Sequence, residues 1–381
     1  MPSSFQITLM MGPVTFRPVP RAVLDSLLKV QVTNSAGERS GFQLTFSFSK
    51  GTEMEKKLSS GYFDPPSRVV IVATINGQPN VIMDGVITRH ELQMSNEPGQ
   101  STLTITGMDL TQVMDMVDFS FMVWPAMPRE ARVAIILAKY AAYGIVPMVI
   151  PSVMIDVPVP IQEIPVQQGT DFEYVRSLAD DVGYTFYVEP GFVAGQNFGY
   201  WGPEIKFGAP QRALTVSSGH VSNVDAMTFS FDGFAKTLYL LYIHNKETKA
   251  SFPVPIPDIT PLNPPLGAKI PIPLKVRFLN REKEGSKDSM AKYSPLQAAA
   301  RALARASQSS DVISASGSLD VLRYGGILKA RSLVGVRGAG ADYDGYYFVK
   351  SVTHSIQRGQ YKQSFSLTRN ARVHPFSKVL V

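Results

Sequence analysis

The sequence predicts an α+β protein, mainly β, with a helix-containing middle. Three observations carry this. Residues 30–110 and 312–372 show apolar–polar alternation of period two, punctuated by Gly and Asn turns. Residues 109–183 change to helical spacing with recognisable caps and stops. Hydrophobic residues make up 44% of the 381, enough to bury a sizeable core and to exclude general disorder.

Taken in order, residues 1–20 hold four prolines, Pro2, Pro13, Pro18 and Pro20, and read as an extended arm. Residues 30–50 form a strand pair about a turn at 34–37. There Phe42, Leu44, Phe46 and Phe48 alternate with Gln43, Thr45, Ser47 and Ser49, the pattern of a half-buried strand. Residues 69–75 and 81–87 flank Asn76-Gly77, a strong hairpin signal. After a turn at 95–99, Leu103 and Ile105 share one strand face. A meander of at least five strands is expected over the first ~110 residues.

Helical signals begin at Asp109. Asp109 and Gln112 read as an N-terminal cap, with Leu110, Val113, Met114 and Val117 as a short apolar stripe. A second helix is expected over 128–143, with proline at its start, Val133, Ile136, Leu137 and Tyr140 on one face, and Gly144 as its stop. Residues 147–165 read as a proline-spaced extended segment. Thr170 and Glu173 form a capping box, Phe172, Val175, Leu178, Ala179 and Val182 a buried face, and Gly183 the end; a strand at 184–189 follows. The chain returns to β at 221–244. Residues 251–274 carry eight prolines and read as an irregular surface insertion of polyproline character. Residues 294–297 cap an alanine-rich helix ending near Ala306. The stretch 325–372 holds three β-runs, parted by turns at Gly338–Gly340 and at Arg358-Gly359. In the last run Tyr361, Phe365 and Leu367 share a face with one polar member, Gln363, while Lys362, Ser364, Ser366 and Thr368 occupy the other. One face packs a core and the other meets water or another polar surface.

Composition removes several chemistries. With no cysteine, disulfides, thiolate metal sites and cysteine nucleophiles are excluded. The start of the chain shows no signal peptide, and its longest apolar runs fall far short of a membrane span, so folding in the cytoplasm is expected. Net charge is +6, and nine Lys or Arg against three acids between 269 and 305 account for all of it. These nine, Lys269, Lys275, Arg277, Arg281, Lys283, Lys287, Lys292, Arg301 and Arg305, read either as a basic face for an acidic partner or passing nucleic acid, or as an ordinary solvated face. His90, His220, His244, His354 and His374 are scattered without metal-ligand spacing. Asp180-Asp181 reads as a solvated helix end rather than a cleft pair. The glycine-rich run 335–340 follows a strand but leads into another, so it lacks the helix N-terminus a phosphate loop needs. Tyr184, Phe186, Tyr187, Tyr200 and Trp201 fit sheet packing better than a stacking platform.

Several stretches together resemble one family. They are 40–47 (SGFQLTFS), 83–88 (MDGVIT), 101–110 (STLTITGMDL), 169–179 running into 183–189, and 340–372. In order and spacing, from residue 20 to 372, they are similar to the phage late-control D or tail baseplate hub proteins. These in turn resemble the hub half of valine-glycine repeat spike proteins and the hubs of contractile injection systems. No single stretch is specific; the combination is.

The resemblance implies a non-enzymatic homotrimer with no cofactor and no metal. Two related β-barrel domains per chain would give a pseudo-sixfold ring that seats a three-fold spike on a six-fold inner tube. The implied domains are 1–118 (arm and first barrel), 119–210 (helix-containing), 211–245 with 312–372 (second barrel), 246–311 (proline-rich insertion and basic helix) and 373–381 (tail). Implied partners are the inner-tube ring protein, a separate spike protein, baseplate wedge or tape-measure proteins, and nucleic acid only in passing, with no membrane insertion. The protein would assemble in the cytoplasm and end in a phage tail or injection particle. The assembly interface is expected at Phe42, Leu44, Phe46, Phe48, Tyr346, Phe348, Val352, Tyr361, Phe365 and Leu367. The alternative is a cell-wall hydrolase or carbohydrate-binding tail protein.

Overall fold

The apolar faces read from the sequence meet in one large sheet. The computed structural model describes residues 5–97, 99–152, 164–216, 222–244, 251–278 and 295–374. The N-terminal part runs β1 (Phe5–Gly12), β2 (Arg17–Pro18), α1 (Arg21–Asp25), β3 (Leu27–Ser35), β4 (Gly41–Ser47), α2 (Glu53–Ser59), β5 (Arg68–Ile75), β6 (Gln78–Gln93) and β7 (Thr102–Asp109). A middle unit follows: α3 (Thr111–Met114), α4 (Arg129–Lys139), β8 (Ile145–Val149), α5 (Asp171–Val182), β9 (Thr185–Pro190) and β10 (Asn197–Gly202). The remainder runs β11 (Gln211–Thr215), β12 (Ala226–Phe231), β13 (Thr237–His244), β14 (Ser251–Ile256), β15 (Lys275–Phe278), α6 (Pro295–Gln308), β16 (Ile313–Asp320), α7 (Val321–Tyr324), β17 (Leu333–Arg337), β18 (Gly345–Gln357) and β19 (Gln360–Arg369).

Thirteen strands form the main sheet, in the order β12-β16-β19-β18-β3-β4-β7-β6-β5-β1-β2, with β17 on β18 and β11 on β17. Its two halves repeat one plan. The first is strand, strand, short helix and three strands (β3, β4, α2, β5, β6, β7), in spatial order β3-β4-β7-β6-β5. The second is β12, β16, α7, β17, β18, β19, in spatial order β12-β16-β19-β18-β17. The halves join where β18 pairs antiparallel with β3, Thr353 opposite Thr33. The tight β3–β4 turn of the first half is replaced in the second by residues 232–312. A single buried cluster, from Leu9 through Phe46 and Ile105 to Val352 and Leu367, runs under both halves.

Four expectations are corrected. No pairing among the described residues closes either half into a barrel; the halves share one open sheet. The N-terminal arm is largely strand: β1 pairs with β5 from Phe5↔Ile75 to Gly12↔Arg68, burying Leu9 and Met11. Residues 237–244 leave the second β unit, since β13 pairs with β14 and, in parallel, β15 in a separate three-stranded sheet under α6. The proline-rich insertion accordingly begins as strand rather than irregular chain.

The middle unit follows its local signals. Thr170 accepts from the Glu173 amide and Glu173 reaches back to the Thr170 amide, so the capping box is complete. Gly144 and Gly183 take φ of 74° and 71°, the left-handed stops that L side chains adopt only with strain. Val133, Ile136, Leu137, Phe172, Val175 and Leu178 pack with Trp201 in a core of their own.

Candidate assembly surfaces

Across β12, β16, β19, β18, β3, β4 and β7 the main sheet has one dry and one wet face, and the wet face is built largely of hydroxyls and amides. Cross-strand register aligns them in rows. Thr228, Ser316, Ser366 and Ser351 stand opposite one another across β12, β16, β19 and β18. Ser318, Ser364, Thr353 and Thr33 make a second row across β16, β19, β18 and β3, with Thr33 Oγ1 and Thr353 Oγ1 3.1 Å apart. Ser355, Gln31, Gln43 and Thr106 continue a third through β18, β3, β4 and β7. The wet face therefore crosses the joint between the halves without a break. Charged members of such rows, Lys29, Arg89, Glu91 and Lys362, stand near strand ends. Lys362 and Arg323 both bind Asp225; burial opposes its charge, but those hydrogen bonds outweigh it and hold its carboxyl below the usual range.

Among the strand edges left unpaired by the described residues, two in the main sheet belong to β12 and to the end of β6. β12 pairs only with β16. β6 carries β5 along its first part, but from Thr88 to Gln93 only β7. Unpaired backbone on exposed edges is a template for another chain.

The ten expected interface residues lie elsewhere. Phe42, Leu44, Phe46, Phe48, Phe348, Val352, Tyr361, Phe365 and Leu367 are buried within the chain, and Tyr346 is half-buried. Alternation identifies an apolar face but not what covers it, and here the chain covers its own. Gln363 keeps its place on that face because its amide is satisfied: Nε2 donates to Leu328 O (2.8 Å) and Oε1 accepts from Leu328 N (3.0 Å). His354 is buried beside it, Nδ1 2.7 Å from the Tyr361 hydroxyl, and burial lowers its pKa to about 4.

The nine basic residues do not form one described face. Lys269, Lys275 and Arg277 are exposed on the insertion. Arg301, on α6, is turned toward α5 and pairs with Asp181 at 3.3 Å; Arg305 is half-buried on the same helix. Arg281, Lys283, Lys287 and Lys292 lie outside the described residues, as do His220 and the His244 side chain.

Features with catalytic potential are held by structural partners. Asp180 is pushed up by burial at the α5–α6 contact. Trp201 is fully buried, with Tyr184 edge-on to it, while Tyr187 stacks on Tyr200, so the aromatic cluster is packing. A cleft of about 320 Å³ between the sheet and β9 contains Asp109, Glu189, Lys329 and Arg331. Asp109 caps the turn after β7, accepting from Ser40 N (2.7 Å) and Thr111 N (3.0 Å). Glu189 is 3.5 Å from Arg331, whose guanidinium lies 4.1 Å over the Tyr187 ring and donates to Ser35 O. The run 335–340 is strand β17 and a turn, where the Asp344 carboxylate accepts from Ala339 N. Among the described residues no group of three His, Asp or Glu is placed to hold a metal ion.

Sequence reasoning missed the joint that fixes the middle unit to the sheet. Arg68 and Asp84 are fully enclosed and doubly bonded, Nε to Oδ1 at 2.8 Å and Nη2 to Oδ2 at 2.7 Å. Arg68 also donates to Tyr143 O (2.7 Å), and Asn197 of β10 donates to Asp84 Oδ2 (2.8 Å) and Tyr143 O (3.1 Å). The available signal was Arg68 at the head of one apolar run and Asp84 within the next, the two joined by a two-residue turn.

No family model matches the sequence, and no curated protein matches it. Solved structures do match. A tail protein from Neisseria meningitidis MC58 aligns over 96% of both chains with a TM-score of 0.59 at 12% identity. A 43 kDa tail protein of prophage MuSo2 from Shewanella oneidensis aligns over 96% of this chain and 99% of its own, TM-score 0.59, at 16% identity. This chain has the fold of phage tail proteins. The same fold extends to secretion systems: in a Francisella PdpA-VgrG complex the likeness covers 99% of this chain but 55% of that one, TM-score 0.58, at 8% identity. The resemblance read from the sequence and the likeness in structure thus agree on a fold shared by phage tail and type VI secretion proteins.

Proposed function

We propose that the chain is a structural baseplate hub: a homotrimer, without catalytic activity, that joins a six-fold inner tube to a three-fold spike. The repeat within the chain carries this reading. Its two halves share one strand order and meet by pairing β18 with β3. In the repeat β6 corresponds to β18 and β12 to β3, and both β6, from Thr88 to Gln93, and β12 keep an edge open among the described residues. Pairing Thr88–Gln93 of one copy with β12 of the next repeats, between chains, the joint already made within one. Three copies so joined present six equivalent halves to a six-fold ring and three chains to a three-fold spike. The open hydroxyl face then becomes continuous around the ring.

On this reading the partners are the inner-tube ring protein, a three-fold spike, wedge or tape-measure proteins, and nucleic acid only if the particle delivers a genome. The particle is a phage tail or a related injection device. Light scattering on the purified chain tests it: three times the 41.7 kDa chain mass is 125.1 kDa. A monomer that persists when the neighbouring spike and tube proteins are co-expressed overturns the reading.

A further inference from the structure

The two halves of the chain share a bulge as well as a strand order. In β18 it falls at Lys350, between the pairs Val349↔Leu367 and Ser351↔Ser366. In β6 it falls at Thr88, between Ile87↔Gly107 and Arg89↔Thr106. Each adds one residue to a long strand just past the point where a second neighbour ends. Aligning the bulges equates residues 89–93 with 351–355, one for one. Following the register outward, through β7 and β4 in one half and through β19 and β16 in the other, equates 31–35 with 228–232.

The backbone agrees with this alignment. Ala36 N donates to Lys350 O (2.7 Å), so within the joint Asn34/Val352 and Val32/His354 exchange ladder hydrogen bonds, and Thr33/Thr353 is the non-hydrogen-bonded pair between them. Asp232 N donates to Val312 O (2.9 Å), which turns the even residues of β12 toward β16 and leaves the N–H and C=O of Phe229 and Phe231 pointing away from the sheet. Phe229 and Phe231 are the counterparts of Val32 and Asn34, the residues that bond across the joint. Their side chains show what the joint does: Val32 and Val352 are 0% exposed within it, whereas at the open edges Phe231 is 40% and Leu92 42% exposed.

We propose that neighbouring copies pair β6 with β12 antiparallel in one register, Glu91 of one copy opposite Ser230 of the next. The inference rests on the hub reading and gives its between-copy joint a register. On the wet face Arg89 then stands opposite Asp232; on the dry face Leu92 stands opposite Phe229. Arg89 also lies 3.3 Å from Glu91 on its own strand, and Asp232 accepts from Phe234 N, so the repeated joint, not charge, selects the partner. A slip of one residue sets wet-face positions against dry-face ones. A slip of two in one direction sets Glu91 against Asp232, acid on acid. In the other direction it carries Asp232 to Ile87, whose N–H already donates to Ser67 O.

The cysteine-free chain allows a direct test. Glu91→Cys and Ser230→Cys are combined in one chain; both side chains are exposed. A non-hydrogen-bonded pair brings its Cα atoms to about 4.5 Å, within disulfide reach, while diagonal neighbours stay about 7–8 Å apart. Oxidation of the trimer, formed alone or with spike and tube, should give bands of two and three chains on a non-reducing denaturing gel. Gln93→Cys/Thr228→Cys, the next pair in that register, should do the same, and the offset pair Gln93→Cys/Ser230→Cys should stay at one chain. A wild-type trimer for which neither opposed pair links, or for which the offset pair links as well, overturns the register and leaves the hub reading standing. A wild-type monomer, even with spike and tube present, overturns both.

Discussion

Asp84→Asn tests the buried joint between sheet and middle unit. The substitution keeps the shape of the side chain and removes its charge. Arg68 is then left enclosed at 3% exposure, with carbonyls but no counter-ion. Two unit charges about 4 Å apart interact by about 4 kcal/mol at an effective dielectric near 20. Removing one partner of a buried pair costs about 3–5 kcal/mol, because the other charge stays desolvated. The assay is urea unfolding at fixed protein concentration, followed by tryptophan fluorescence and circular dichroism. With a slope of about 2–3 kcal/mol per molar, the midpoint should fall by about 1–2 M. Both probes are needed: Trp124 and Trp201 lie in the middle unit, whereas most strand signal comes from the main sheet. The Arg68→Met/Asp84→Leu chain removes both charges and should recover much of the loss, since an apolar replacement of a buried pair is often neutral. A midpoint shift for Asp84→Asn below about 0.3 M, or a double variant as unstable as the single, refutes the claim that charge pairing holds this joint.

Further outcomes follow from the same contacts. Phe365→Asp places an unpaired charge on the dry face, where Phe365 is 4% exposed, and should yield insoluble or unfolded chain; soluble, assembling protein refutes the face assignment. His354 is held neutral with a folded pKa of about 4, below its ordinary 6.5, so the unfolded chain binds the extra proton. The stability this gives is complete above pH 6.5 and is lost as pH falls toward 4, by about 3 kcal/mol over that window. His354→Gln should flatten that part of a stability–pH curve, and an unchanged slope there would assign it to other groups. Thr170→Ala removes the accepting half of the capping box and should cost about 1 kcal/mol in urea titration. Asp180→Asn and Asp181→Asn should leave peptidoglycan release at background, as for wild type; wild-type release lost in either variant would revive the hydrolase reading.

Local chemistry was legible in the sequence and partnership was not. The capping box at Thr170, the stops at Gly144 and Gly183, the hairpin at Asn76-Gly77 and the two faces of β19 all stand where residue types placed them. Each depends on atoms a few residues apart. β1 was read as part of an extended arm because four prolines lie in residues 1–20, while its partner, β5, lies some sixty residues on and leaves no mark in the strand itself. α2 had signals in plain view: Thr52 before it, Glu53 and Glu55 in its first turn, Lys56 and Lys57 in its last. The ten interface candidates show the larger difficulty. An alternating strand states that one face must be dry, but burial by the chain's own second half and burial by another copy leave the same pattern. Arg68 and Asp84 were passed over because each, taken alone, looks like a solvated strand charge. Only the hairpin register sets them near each other.

The repeat also gives a reason for the insertion's position. In the first half β3 and β4 are joined by a short turn at 36–40, and β3 lies inside the sheet against β18. Its counterpart β12 lies at the sheet's end, and the matching connection holds β13, β14, β15 and α6. A bulky connection is tolerated there because, among the described residues, no strand pairs with the other edge of β12. On the hub reading, the same position is where a neighbouring copy would arrive. Edge pairing between copies would supply register through backbone hydrogen bonds but little side-chain burial.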